Sequence, residues 1–342
     1  MGVTLKDVAK LAEVSIGTAS QSLNNKACIS PSTREKVLLA VRKLNYYPHT
    51  IAKQLALQRT NYLTCFIVPN EKTSCIHLSS WSFYYPIIQS ILSVTRSHNY
   101  RVLLEIRRLG DIKEETLLNL AREKSVDGAF FILQIKNDYV NILKLKSMGF
   151  PTIVINANLQ EGISSVCVDN IKAVQKVIKY LVSLGHQEIA FMSGPMNHLN
   201  SLERLQGYKD TLYDLGIKIK KQWIVEGDWS IESGYRCAGR IINFGVPTAI
   251  FCSNDYMAVG AMKRIKEAGL SIPEDVSIMG YDDMDIARVV TPSLSSVKQP
   301  LDKVGELAAE ELIRLVEGKK TNVHKILLKP EIIKRQSCAA IK

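Results

Sequence analysis

The 342 residues contain no C-x-x-C pair, no His or Cys at metal-ligand spacing, and no G-x-S-x-G, P-loop or G-x-G-x-x-G. Without those motifs there is no catalytic residue to assign, no metal and no cofactor. The seven cysteines are scattered, several inside apolar runs such as LTCFIV and AIFCS. That placement excludes a disulfide framework and reads as reduced core thiols. The opening MGVTLKDVAK lacks an apolar signal core, and Lys6 breaks the myristoylation pattern. No apolar run reaches the roughly 18 residues of a membrane span, so a cytoplasmic chain without a membrane partner is expected. Internal repeats of 20–50 residues and low-complexity tracts are also missing.

What is present is enough apolar material for a large core, 46% hydrophobic against 23% charged, at a length that suits two domains. The formal net charge is +11 and the pI about 9.2. Residues 1–60 hold nine basic side chains (Lys6, Lys10, Lys26, Arg34, Lys36, Arg42, Lys43, Lys53, Arg59) against three acids (Asp7, Glu13, Glu35), a balance of +6. The other 282 residues carry +5. Positive charge gathered at one end suits a polyanion-binding module; a solvated basic face is the alternative.

Leu5, Val8, Ala9 and Ala12 have the spacing of a one-sided helix, with Thr4 and Asp7 as a capping pair. Glu13-Val14-Ser15 breaks the pattern. Ser15 is an N-cap for a second helix over about 16–23, with Ile16, Ala19 and Leu23 on one side. After the loop NNKACIS, Ser30-Pro31 starts a third amphipathic helix through Val37, Leu38, Val41 and Leu44, to be closed by a left-handed Asn45. Three short helices with a tight first turn make a helix-turn-helix whose second helix fits a major groove. A ligand-free three-helix packing unit is the bland alternative.

The stretches TLKDVAKLAEVSIGTASQSLNN and SPSTREKVLLAVRKLNYYPHTIAKQLA resemble the headpiece of the LacI family of bacterial transcription regulators. The resemblance implies that Ile16, Gly17 and Gln21 face base edges, and that Thr18, Ser20, Asn24 and Tyr46 sit at the phosphate backbone. Thr4, Leu5, Ser15 and His49 complete the DNA-facing set it implies. Two residues depart from the family. Glu13 stands where Gly is usual in the turn, and Gln21 where Arg is usual. Arg reads guanine, whereas Gln suits adenine. Residues 50–59, TIAKQLALQR, are too short for a stable isolated helix. The resemblance makes them a hinge helix in the minor groove, with Ala52 and Leu55 facing it, Leu55 as the apolar wedge, and Lys53 and Arg59 at phosphates. A plain linker is the other reading.

From residue 61 onward apolar runs alternate with amphipathic stretches. YLTCFIV, RVLLEI, GAFFIL, PTIVIN, EIAFM, WIVEG, TAIFC and DVSIMGY read as strands. Helices are expected over 84–98, 113–123, 139–148, 170–184, 201–215, 231–242 and 255–268. The alternation predicts an α/β fold of two doubly wound lobes with parallel sheets. RLQGYKDTL, EGDWS, PTAIFCSNDYMAVGAMKRIKEAGLSIPEDVSIMGYDD and SLSSVKQP resemble the core of the same family, which is related to periplasmic sugar-binding proteins. This implies a helix-turn-helix headpiece over 1–49, a hinge over 50–60 and an effector-binding, dimerising core over 61–342. It places the N-lobe at about 61–160 and 293–321, the C-lobe at about 161–292 and 322–342, and crossings near 160, 292 and 322.

The same resemblance implies a small sugar-like effector in the cleft. Arg204, Asn254, Asp282 and Gln299 would supply donors and acceptors, and Trp229 an aromatic wall. Asn156 stands where related regulators often have an acid. Trp81 and Phe83, with Tyr84, fall at the cleft mouth, and Trp81 suggests a bulkier wall. Each has a plainer reading: Trp229 and Phe83 as core aromatics, Asn254 as a helix cap, Arg204 as an exposed helix charge. Asp282 and Asp283 leave a strand on opposite sides, which argues against shared acid–base work. The implied partners are an operator of double-stranded DNA, the effector and a second copy of the chain, in a homodimer. The first core helix and the segment after Asp283 would form the dimer face. Whether a phosphocarrier protein serves as corepressor stays open. The rival classes are a cytoplasmic sugar-binding protein, which has no use for residues 1–60, and a sugar-acting enzyme, which would need a nucleophile or an acid–base pair.

Overall fold

In the computed structural model the described residues are 3–23, 28–46, 59–68, 78–106, 114–133, 139–157, 162–319 and 324–341. The chain divides into two compact units, Met1–Thr60 and Asn61–Lys342.

The first unit holds α1 (Leu5–Leu11), α2 (Ile16–Leu23) and α3 (Pro31–Lys43). Their starts follow from side chains that satisfy free backbone groups. Thr4 N–H and Oγ1 both donate to Asp7 Oδ2, at 2.8 and 2.7 Å. Those bonds, made to the ionised form, hold the Asp7 carboxyl below its ordinary range. Ser15 Oγ accepts from Thr18 N–H at 3.0 Å, and Ser30 Oγ from Thr33 N–H at 3.2 Å. After α3, Asn45 takes φ 48°, the left-handed stop expected of it. Val8, Ala9, Ala12, Ala19, Val37, Ala40 and Tyr46 form the core. The expected apolar side of α2 needs correction. Ala19 and Ser22 are the buried pair, Leu23 is half-buried, and Ile16 is 50% exposed. Ser22 tolerates burial because its hydroxyl donates to Thr18 O at 2.8 Å.

In the second unit, β1 (Tyr62–Ile67), β2 (Arg101–Ile106), β3 (Gly128–Ile132), β4 (Thr152–Ile155), β5 (Ser164–Val168) and β11 (Lys325–Leu328) make one parallel sheet, in the order β11-β5-β4-β3-β1-β2. This is the N-lobe. Helices α4 (Leu78–Ser97) and α12 (Leu301–Val316) cover one face through Ile87, Ile91, Val304, Ala308 and Leu312. On the other face, α5 (Glu114–Glu123) and α6 (Tyr139–Ser147) bury Leu117, Ile142 and Leu145. Burial on both faces explains the unbroken apolar runs of β3 and β4.

The C-lobe is a parallel sheet of β7 (Ile224–Glu226), β6 (Ile189–Ser193), β8 (Ala249–Cys252) and β9 (Ser277–Met279), in that order. Helices α7 (Asn170–Ser183) and α8 (Leu199–Asp214) lie on one face, α9 (Ile231–Asn243) and α10 (Asp255–Glu267) on the other. Short α11 (Asp285–Val289) follows. β10 (Ser296–Lys298) and β12 (Glu331–Ile333) form an antiparallel ribbon, which touches the end of the C-lobe sheet through the bridges Met279–Ser295 and Asp282–Lys298.

Two expectations shift here. Residues 164–168 and 325–328, assigned by resemblance to the C-lobe, are strands of the N-lobe sheet. The chain therefore crosses after Val168, between Lys298 and Leu301, and after Leu328, later each time than 160, 292 and 322. β5 reads SSVCV, too rich in serine for an apolar run, yet all five residues are buried between β4 and β11. The first core helix begins at Leu78, not at 84, and continues through Pro86. Trp81, Phe83 and Tyr84 are therefore helical residues, half-buried or buried against the N-lobe core.

Candidate functional site

The first unit offers an exposed, largely polar face. Ser15, Ile16, Gly17 and Gln21 are exposed along α2, with Thr18 and Ser20 half-buried beside them; Thr4 is exposed and Leu5 half-buried at the start of α1. Gly17 and Gln21, one turn apart, lie opposite the buried Ala19 and Ser22, as a groove-reading surface requires. Ser15 Oγ also lies 2.9 Å from Thr18 Oγ1, so these two hydroxyls are held by the turn itself. Gln21 Oε1 accepts from the exposed Cys28 Sγ at 3.8 Å, which departs from the expectation that the cysteines are all core thiols. Glu13 sits in the turn at φ 53°, a conformation that costs a side-chain-bearing residue about 1 kcal/mol. Tyr46 is 8% exposed and packs its ring in the headpiece core. Asn24, His49, Ala52, Lys53 and Leu55 lie outside the described residues.

The second unit holds a buried polar cluster at the carboxyl ends of the C-lobe strands. Arg204, on α8, is 3% exposed and is not the surface charge of the plainer reading. Its guanidinium lies 3.7 Å from the Tyr281 ring centroid and 5.8 Å from that of Trp229. It donates through Nε to Asn170 Oδ1 at 3.0 Å and through an Nη to the Ser253 carbonyl. Asn170 Oδ1 also accepts from the Tyr281 hydroxyl at 2.9 Å, and its amide donates to Asn200 and Glu203.

Asp282 faces the same cation and accepts from Gln299 Nε2 at 2.6 Å. Burial pushes its carboxyl up to about 6, against the opposing pull of Arg204 and Gln299. Asp283 turns elsewhere, to Arg335 at 2.5 Å and Arg288 at 3.6 Å. Asn254 is both cap and support: it accepts from Met257 N–H at 2.9 Å, and its amide donates to the Trp229 carbonyl at 3.0 Å.

Arg204, Trp229, Asn254, Asp282 and Gln299 thus form one connected cluster. Asn156, Trp81 and Phe83 belong to the N-lobe, Asn156 at the end of β4 and the two aromatics on α4. The lobes touch where Ser82 Oγ and Tyr256 Oη lie 3.2 Å apart. Asn156, Trp229 and Asp282 take φ of 65°, 73° and 111°, and such strained backbone gathers at functional sites. Asn156 Nδ2, Gln299 Oε1, Ser253 Oγ, Ser201 Oγ and His198 Nε2 are buried with no hydrogen-bond partner among the described residues. Each such buried group calls for a partner, which a polar ligand would supply.

Sequence reasoning missed His198, Asn170, Asp255, Tyr281 and Gly194. Buried Asp255 holds the segment after β9, accepting from Ser296 Oγ at 2.5 Å and Met284 N–H at 2.7 Å; burial raises its carboxyl well above the usual range. A Cβ on Gly194 would stand 2.1 Å from the Trp229 ring, so only glycine admits the indole at that place.

Residues 4–49 match the family model described as bacterial regulatory proteins, lacI family. Residues 178–338 match that of a periplasmic binding protein-like domain. The chain is 33% identical over 338 residues to the probable HTH-type transcriptional repressor ExuR of Bacillus subtilis (strain 168), covering 98% of each chain. Among solved structures it is similar to a lac repressor dimer bound to operator and the anti-inducer ONPF, at TM-score 0.84, 28% identity and coverage of 99% and 100%. It is also similar to a complex of the transcriptional regulator CelR with cellobiose, at TM-score 0.73, 28% identity and coverage of 98% and 99%.

Proposed function

The chain belongs to the lacI family of bacterial regulatory proteins, and from that premise we propose that it is a repressor that releases or grips its operator according to a sugar-like effector. It is a DNA-binding regulator under effector control. In the finer reading, residues 1–49 are the DNA-binding headpiece, 50–60 a hinge and 61–342 the sensing core. Ile16, Gly17 and Gln21 read bases, Thr18, Ser20, Asn24 and Tyr46 lie at the phosphate backbone, and Thr4, Leu5, Ser15 and His49 complete the DNA-facing set. Ala52 and Leu55 face the minor groove, and Lys53 meets phosphate. Arg204, Asn254, Asp282, Gln299 and Asn156 bind the effector against Trp229, with Trp81 and Phe83 on the facing lobe. The observation that carries the reading is the exposed helical face of α2, where Ile16, Gly17 and Gln21 point away from a core that Ala19 and Ser22 complete.

A homodimer on a pseudo-palindrome is part of the proposal. Its support is exposed apolar side chains: Leu103, Leu104 and Ile106 on the edge strand β2 are 43–46% exposed, Leu92 on α4 is 42% exposed, and Val289 in α11 of the C-lobe is 77% exposed. An open sheet edge with apolar side chains invites a second copy. The reading assigns no reaction to the core, since Asp282 and Asp283 face different partners, and it puts the protein in the cytoplasm with its DNA. The test is a mobility shift on the DNA upstream of the chain's own gene, with the full chain and with residues 1–60 removed. The full chain should shift that DNA and the truncated core should not. Equal binding by both would overturn the reading.

A further inference from the structure

Resting on the effector reading above, we propose that the N-terminus of α8 is an oxyanion subsite, which takes the carboxylate of a sugar acid or the phosphate of a sugar ester. Helix α8 runs for sixteen residues, and His198 stands at its N-cap without capping it through its side chain. The first-turn N–H groups of a helix have no carbonyl partner within it, and the aligned peptide dipoles leave this end positive. The imidazole supplies the independent observation. Trp229 Nε1 carries a hydrogen and can only donate, and it lies 3.3 Å from His198 Nδ1. Nδ1 must therefore present its lone pair. Burial, reinforced by the charge of Arg204, pushes the ring down to about 4, so it is neutral near pH 7. A neutral ring with a bare Nδ1 carries its proton on Nε2. Among the described residues that Nε2–H has no partner, and the residue is 1% exposed.

Arg204 brings a full positive charge to the same end of the molecule from two turns along α8. Two carboxyl groups lie close to it: Asp282, which accepts from Gln299, and Glu203, which accepts from Asn170. Ser201 Oγ, without a partner among the described residues and one turn from His198, can turn its proton toward an arriving group. A buried N–H that only donates, a guanidinium and a helix N-terminus all offer hydrogens and positive potential. An oxygen that brings lone pairs and negative charge satisfies them together; a neutral hydroxyl brings a further proton to be placed.

The test uses the full chain with ¹⁵N-labelled histidine, titrated separately with acetate, inorganic phosphate and D-glucose near pH 7. In the free protein His198 should be the Nε2–H tautomer. Acetate or phosphate should then shift the Nε2 resonance saturably, while glucose at equal concentration leaves it in place. A response to acetate points to a sugar acid, and one to phosphate points to a sugar phosphate. His198→Gln, which keeps a donor, should retain an anion-dependent rise in melting temperature, and His198→Phe should lose it. Should His198→Phe not fold, the titration of the unaltered protein decides. A proton on Nδ1, no saturable shift with either anion, an equal shift with glucose, or an undiminished anion effect in His198→Phe would each overturn the subsite. None of these outcomes bears on DNA binding by residues 1–60, so the two readings fail separately.

Discussion

Gln21 places one amide on the exposed face of α2, where it can donate and accept in a single plane. That pattern matches the N6 and N7 edge of adenine, and a good bidentate pair discriminates by about 1–3 kcal/mol. Selected-site sequencing should return A·T at the base pair Gln21 meets in each half-site, and Gln21→Arg should move the preference to G·C; a strict G·C with Gln21 in place would contradict this. Two buried groups in the core predict opposing responses to pH. Asp282 is raised by burial from 3.8 to about 6, so its contribution is present in full below pH 3.8 and is lost as pH rises through 6. His198 is lowered from 6.5 to about 4, so its contribution is present above pH 6.5 and is lost as pH falls through 4. Each shift corresponds to about 3 kcal/mol. Urea unfolding at pH 4 and pH 7 should show Asp282→Asn gaining on the parent as pH rises. A difference that stays constant across that range would show that Asp282 is not the group responsible.

At the scale of elements, α9 and α10 cross so closely that a Cβ on Gly234 would stand 2.1 Å from Met257 O, and one on Gly260 would stand 2.0 Å from Ile231 O. Backbone cannot yield as a flexible side chain does. We expect Gly260→Ala to lower core stability by about 3 kcal/mol, the upper part of the usual range for overpacking, as measured by urea unfolding; an unchanged midpoint would mean that the helices can part at little cost. The headpiece helices were legible because their signals are local: Thr4 with Asp7, Ser15 with Thr18, and Ser30 before Pro31 lie within one turn of one another. Strand β5 and helix α12 were not read at all. β5 becomes a strand through its neighbours β4 and β11, not through its own apolarity. The cluster was legible one residue at a time, but its wiring was not. Asn170 meets Tyr281 across 111 positions and His198 meets Trp229 across 31, distances over which no periodicity carries a signal.

For the whole molecule, regulation is a coupling between two sites, and a coupling acts equally in both directions. Whatever factor an effector applies to operator affinity, saturating operator must apply to effector affinity. Calorimetry with and without operator DNA should give matching factors; an effector that weakens DNA binding while its own affinity ignores DNA would mean that the two sites do not share one equilibrium. The order in which the sheets take their strands has a separate consequence for synthesis. The helices of the first unit end by Lys43, whereas the N-lobe sheet waits for one of its two edge strands, Lys325–Leu328, made after every strand of the C-lobe sheet. On a translating ribosome the first unit can therefore be finished while the sensor is still open, and a chain cut short before residue 325 would carry that unit without a complete sensor.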